Sequence, residues 1–122
     1  MNKTIFTLDA YEQTVREKDG VIMYFSNNVC GACDVLEDKI NEILAKDYPK
    51  MEMYTVSTVS NPEIAGQNRV FAAPTILIYF TGREQARFTR SVGMAQIVDV
   101  IDRPYQMIFD DSETQDFVEY EK

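Results

Sequence analysis

The sequence contains no histidine at all. That absence removes Ser–His and Cys–His nucleophilic catalysis, and with them every zinc site that needs an imidazole. Positive charge is also in short supply. Lys and Arg number 12 against 20 Asp and Glu, for a net charge of −8. Such a surface repels phosphate backbones and anionic lipid headgroups, so nucleic acid and membranes are not expected partners. No run approaches the roughly 20 apolar residues that span a bilayer. The opening "MNKTIFTLDAYEQTVREKDG" meets charged residues too early for the apolar core of a signal peptide. A soluble cytoplasmic protein is the expectation, and there a permanent structural disulfide is disfavoured. Cysteine is the last scarcity. Cys30 and Cys33 are the only two, three apart in "NNVCGACD", residues 27–34.

What is present is ordinary for a folded domain. The chain has 122 residues, enough for one domain with one core, and 45% of them are hydrophobic. Residues 3–6 read as a short extended piece. A helix opens near Leu8–Asp9, with Asp9 as cap, Glu12 as its capping-box partner and Gly20 as the stop. "VIMYF", 21–25, is a continuous apolar run of strand formers, the pattern of a strand buried on both faces. A helix follows from Gly31 to about Lys46, with Leu36, Ile40, Ile43 and Leu44 as its inner stripe. "MEMYTV", 51–56, is the next strand. Strand, helix and strand of these lengths make a βαβ unit, hence parallel strands.

Asn61 and Pro62 start a short helix over 61–68. "TILIYF", 75–80, is another apolar strand. "TGRE" turns it back into the alternating "QARFTRSV", 85–92, expected at an edge and ended by Gly93. Residues 95–103 are helical with Ile97, Val98 and Ile101 inward; Pro104 either ends that helix or begins another, and "PYQMIF" can continue as helix, since Tyr105 and Ile108 or Phe109 keep the spacing. The domain is drawn over residues 1–109. Residues 110–122 form an acidic tail, in which six acids against Lys122 carry a net −5.

The cysteines lie between a buried strand and a helix. Cys30 falls at the expected N-cap and Cys33 at the third helical position, whose backbone N–H would point at the Cys30 sulfur. The helix dipole adds partial positive charge at the same end, and both effects favour a thiolate. Cys33 continues the stripe through Leu36 and Ile40, so it is expected to be the more buried sulfur. Cys30 is therefore the candidate nucleophile and Cys33 the resolving thiol. Three other readings stay open: half of a Cys₄ zinc site completed in a dimer, a spectator pair, and a static disulfide.

The order of elements and the motif together resemble the thioredoxin family, from about Lys3 to Tyr105. The resemblance rests on "VIMYFSNNVCGAC", on "NPEIAGQNRVFAAPTILIYF", on the turn at Gly82 and on Gly93 before the last helix. It implies an α/β thioredoxin fold, a central mixed sheet of four to five strands with helices on both faces. It also implies a cis peptide at Ala73–Pro74, and a substrate-binding surface made of Gly31, Ala32, Ala73, Pro74 and Gly93. Ala73 would offer its backbone N–H and C=O to an extended substrate segment. The implied activity is thiol–disulfide exchange on protein disulfides, which needs no metal or bound organic cofactor, and a monomer is the expected state. Its electrons would come from NADPH through a thioredoxin reductase.

The chain departs from that family pattern around the motif. The Trp usual before the first cysteine is Val29, and the sequence has no tryptophan anywhere. The Pro usual before the second is Ala32. The buried Asp and its Lys partner, which serve proton transfer, align with Tyr24 and Thr55, and the residue after the second cysteine is Asp34. A less acidic Cys30 than in a typical member is expected, with slower release of the mixed disulfide. Asp34 is equally read as a helix-stabilising acid in a first turn, and Tyr24 as a core aromatic. The rival function from another class is a redox-weak binding or accessory module on the same scaffold.

Overall fold

The computed structural model describes residues 3–27, 31–89 and 92–109, without the side chains of Lys3 and residues 31–34. Its elements in chain order are β1 (Lys3–Thr4), α1 (Leu8–Glu17), β2 (Gly20–Ser26), α2 (Gly31–Asp47), β3 (Glu52–Ser57), α3 (Pro62–Gln67), β4 (Thr75–Phe80), β5 (Arg83–Thr89) and α4 (Met94–Phe109). The five strands form one sheet in the order β1-β3-β2-β4-β5. β1 and β2 each run parallel to β3, whereas β4 is antiparallel to both β2 and β5. The sheet is therefore mixed, and the βαβ unit expected from the sequence is β2-α2-β3. The acidic tail over 110–122 lies outside the described residues.

Burial on both faces of β2 and β4 follows from their unbroken apolar runs, because successive side chains leave a strand on opposite sides. Ile22, Tyr24, Ile76, Ile78 and Phe80 join Ile40 and Leu44 of α2 and Ile97, Ile101 and Tyr105 of α4 in one half of the core. Val21, Met23, Phe25, Leu77 and Tyr79 join Tyr11 of α1 and Ile64 and Ala65 of α3 in the other. Two helices thus cover each face. β5 is exposed along most of its length, with only Ala86 and Phe88 half-buried, as suits an edge strand.

Three local expectations are corrected. The cap of α1 is Thr7, whose Oγ1 accepts from the Ala10 amide at 3.1 Å; Asp9 sits inside the first turn, where it complements the dipole. Gly20 does not stop that helix, which ends at Lys18 with its N–H on the Thr14 carbonyl at 3.0 Å. Gly20 opens β2 instead, at a point where a Cβ would lie 3.0 Å from the rings of both Phe80 and Phe109. Pro104 neither ends nor begins a helix; the residues after it do continue as helix, as the spacing of Tyr105 and Phe109 allows, and α4 runs unbroken to Phe109. An interior proline removes one backbone hydrogen bond and crowds the preceding turn, at a cost of about 3 kcal/mol or more, and contacts beyond it compensate. The Tyr105 ring packs edge-on against Tyr48 with centroids 5.0 Å apart, its hydroxyl accepts from the Lys50 amide at 3.1 Å, and the Phe109 ring lies tilted against the Tyr105 ring at 4.8 Å.

Candidate active site

Strand register decides where the candidate residues meet. Phe25 near the end of β2 pairs with Thr75 at the start of β4, and Thr75 pairs in turn with Thr89 at the end of β5. Ser26 is the β2 partner of Ser57, the last residue of β3. The chain therefore leaves β2 toward residue 30, enters β4 from Ala73–Pro74, and leaves β5 toward Gly93, all at one end of the sheet. α2 begins at that same end with Gly31, so Ala32 and the backbone of Cys33 occupy its first turn. Cys30 lies outside the described residues, as does the side chain of Cys33, so the expected sulfur positions stand as expectations from the sequence.

Each connection at this end is tied down by small polar groups. Thr58, just past β3, donates its N–H to the Ser26 carbonyl at 2.8 Å and its hydroxyl to the same oxygen at 3.2 Å, which clasps the ends of β2 and β3 together. Thr75 is the one fully buried polar side chain among the described residues, and its Oγ1 donates to the Ala72 carbonyl at 2.7 Å. That bond folds the chain back just before β4, across the Ala73–Pro74 peptide, which is cis. Ala73 and Pro74 are half-buried, so both remain partly open to an incoming chain. At the start of α4 the Gly93 amide donates to Gln96 Oε1 at 2.9 Å, half of a capping box with glycine at the cap. Gly93 is exposed, and a Cβ there would meet only Gln96 Oε1 at an ordinary 3.7 Å among the described atoms.

A cleft of about 350 Å³ adjoins this end, between α3 and the segment leading to Pro74. Asn27, Thr58, Pro62, Val70, Phe71 and Ala73 are among the residues that line it. Phe71 is 86% exposed on its rim. Sequence reading missed both Thr58 and Phe71. The threonines following β3 and opening β4 carry a signal, since a hydroxyl next to a strand end commonly bonds nearby backbone. Phe71 carries none, because an aromatic between Val70 and the alanines reads as core.

Tyr24 and Thr55 stand directly opposite each other in the β2–β3 register. Tyr24 is completely buried with Ile22, Ile40 and Ile76, so its ring belongs to the core beneath α2. Thr55 Oγ1 lies 3.2 Å from Thr4 Oγ1 on the neighbouring edge strand. The two positions are adjacent, as an Asp–Lys pair would require, and neither residue here carries charge.

Comparisons with known proteins agree with this geometry. The family model described as thioredoxin matches residues 2–103. A thioredoxin of Griffithsia pacifica is 31% identical over 75 residues, which are 61% of this chain and 68% of that protein. Thioredoxin-1 of Saccharomyces cerevisiae is 26% identical over 81 residues, 66% of this chain and 78% of its own. The Fasciola hepatica thioredoxin structure superposes with a TM-score of 0.72 at 28% identity, covering 83% of this chain and 97% of that one. Oxidized mitochondrial thioredoxin 3 of Saccharomyces cerevisiae shares the fold at a TM-score of 0.74 and 18% identity, covering 82% and 93%. With the family's pattern running through nearly all of the described sheet and helices, the chain belongs to the thioredoxin family.

Proposed function

We propose that this chain is a thiol–disulfide oxidoreductase that reduces protein disulfides through Cys30 and Cys33. The observation that carries the proposal is the family match over residues 2–103, which takes in the one CxxC of the sequence where β2 gives way to α2. The Cys30 thiolate attacks one sulfur of a substrate disulfide. A bond forms between those two sulfurs as the substrate's other sulfur leaves as a thiolate. Cys33 then gives up its proton and attacks the Cys30 sulfur, which forms the Cys30–Cys33 disulfide and releases the second substrate thiolate. Two electrons pass to the substrate, and its thiolates take up two protons. Return to the dithiol needs a reductant, assigned here to NADPH acting through a thioredoxin reductase, in the cytoplasm and on a monomer.

Ala73, Pro74 and Gly93, with Gly31 and Ala32 across from them, are assigned the substrate chain. The support is their shared place at the one end of the sheet set by the Phe25–Thr75–Thr89 register. An extended segment laid against Ala73 would gain backbone hydrogen bonds as an added strand does.

A second reading is favoured by one observation. The paired positions that carry Asp and Lys in the family pattern hold a buried Tyr24 and Thr55, which leaves the resolving thiol without that proton acceptor. A redox-weak docking module is the alternative. Reduction of insulin by dithiothreitol separates the two. The oxidoreductase reading expects the native chain to accelerate the reaction and a Cys30→Ser variant to fall to the uncatalysed rate. Equal rates for the two would leave only the module. A Cys30/Cys33 potential near about −270 mV would fit a reductase, and one near about −120 mV an oxidant.

A further inference from the structure

Away from the cysteines, a second cleft opens between α1, the end of α3 and the β4–β5 turn, with a volume of about 430 Å³. Its floor includes Tyr11 and Tyr79, which are 2% and 7% exposed. Their hydroxyls lie 2.8 Å apart, and neither has another hydrogen-bond partner among the described residues. Proton counting then gives a definite result. Two phenols carry two O–H protons, and one bond between them uses one. Whichever hydroxyl donates, the other keeps an uncommitted O–H at the floor of the cleft. Burial, the largest cause for each, raises both phenols above the ordinary tyrosine value, with Glu84 adding to the rise and Arg87 opposing it, so neither proton is lost near neutrality. An O–H that faces an open cleft is met by solvent, and a ligand acceptor entering the cleft would take that bond over.

The remaining lining defines what that acceptor belongs to. Asn68 gives its Nδ2 hydrogen to the Ile64 carbonyl at 2.8 Å, which fixes the amide orientation and leaves Oδ1 able to accept. Val15 and the tyrosine rings supply apolar wall. Gly82 in the β4–β5 turn closes the side, since a Cβ there would stand 3.9 Å from the Val15 carbonyl. Glu12 and Arg16 are both exposed on the lining and four apart on α1, so the rim carries one charge of each sign. The chain as a whole carries −8, which further disfavours an anion. Donor, acceptor, apolar wall and balanced rim together describe a planar neutral amide, with a C=O for the phenol and an N–H for Asn68. We propose that this cleft binds small neutral molecules bearing an aromatic or cyclic amide, independently of the cysteine chemistry.

Benzamide is the probe, titrated into the ¹⁵N-labelled full chain and followed by ¹H–¹⁵N correlation spectra. Saturable shifts confined to Tyr11–Arg16, Asn68 and Thr81–Gly82 are expected, with toluene and benzoate each binding at least about tenfold more weakly. A single Tyr→Phe change leaves one O–H behind, so the informative variant is the double Tyr11→Phe/Tyr79→Phe. It is expected to lose about tenfold in benzamide affinity. Should that variant fail to fold, Val15→Trp fills the cleft from a half-buried position and is expected to abolish the shifts. No saturable shift, shifts centred elsewhere, equal binding of toluene, or full affinity in either variant would overturn the site.

Discussion

Tyr48→Phe isolates the contact that fastens the second half of α4. The Tyr48 hydroxyl donates to Asp102 Oδ1 at 2.8 Å, and its ring is buried edge-on against Tyr105. The substitution keeps the ring and removes only the oxygen. A hydrogen bond to a charged acceptor contributes about 1.5–3 kcal/mol. The low end applies here, because Asp102 is half-buried and keeps Gln106 Nε2 at 3.3 Å, so its carboxylate is not stranded. The expected loss is about 1.5 kcal/mol near neutral pH. For a chain of this size that is about 6 °C in Tm.

The same contact predicts how the loss varies with pH. Burial first, and then the bond to Asp102, push the Tyr48 phenol up to about 12 from 10.0. Its folded value exceeds its unfolded value, so the stabilisation is complete below pH 10 and is lost as pH rises from 10 toward 12. Urea unfolding of both proteins at several pH values would therefore give curves separated by a constant amount up to about pH 9.5 and converging above it. A difference below about 0.5 kcal/mol at pH 7, or one that stays constant through pH 11, would refute the assignment.

Gly20→Ala is expected to destabilise by about 1–2 kcal/mol, since its Cβ would press on the rings of Phe80 and Phe109 at 3.0 Å. Phe109 is half-buried at the end of α4 and can yield, so Phe109→Leu in the same chain should recover part of that loss in a double-mutant cycle; strictly additive losses would show that the Phe109 ring is not the obstacle. Thr75→Val keeps the shape of a fully buried side chain but leaves the Ala72 carbonyl without its 2.7 Å donor. A loss of about 1 kcal/mol in urea unfolding with an unchanged slope is expected, and unaltered stability would mean that this carbonyl finds water as readily as it finds Thr75.

The fold was legible wherever burial and periodicity act together. "VIMYF" and "TILIYF" announce two-sided burial because neither run carries a charge and Thr75 is the one small hydroxyl residue in them, and the two strands sit side by side in the middle of the sheet. The stripe through Ile40 and Leu44 needed only helical spacing, and both residues are buried as expected. What failed was local and set by distant partners. Gly20 resembles a helix stop in sequence, yet its small size answers to Phe80 and Phe109, remote along the chain. Pro104 resembles a boundary, yet Tyr48 and Lys50 hold the helix beyond it. The first constraint leaves no trace near Gly20, and the second leaves only the helical spacing of Tyr105 and Phe109, which does not show what they pack against.

The candidate site was read differently: Cys30 and Cys33 from their spacing and local setting, and Ala73, Pro74 and Gly93 only from the resemblance to the thioredoxin family. Its residues are scattered from 30 to 93, and no periodicity links them; strand register does. Once β2 and β4 are antiparallel neighbours with Phe25 opposite Thr75, the segment before Thr75 must border the segment after Phe25. Once Thr89 lies opposite Thr75, the chain toward Gly93 must leave from that same end. A shift of one residue in either pairing would turn Ile76 and Ile78 from one half of the core to the other, so burial on both faces fixes the register far from the site. This separates the forces that place the site from the groups that would run its chemistry. Tyr24 can replace a carboxylate as an apolar member of the core without moving Ala73–Pro74 or the start of α2, because those positions depend on the sheet. Divergence in redox strength at constant geometry is then the expected mode of change in this scaffold, and the insulin assay on the native chain tests whether it has occurred here.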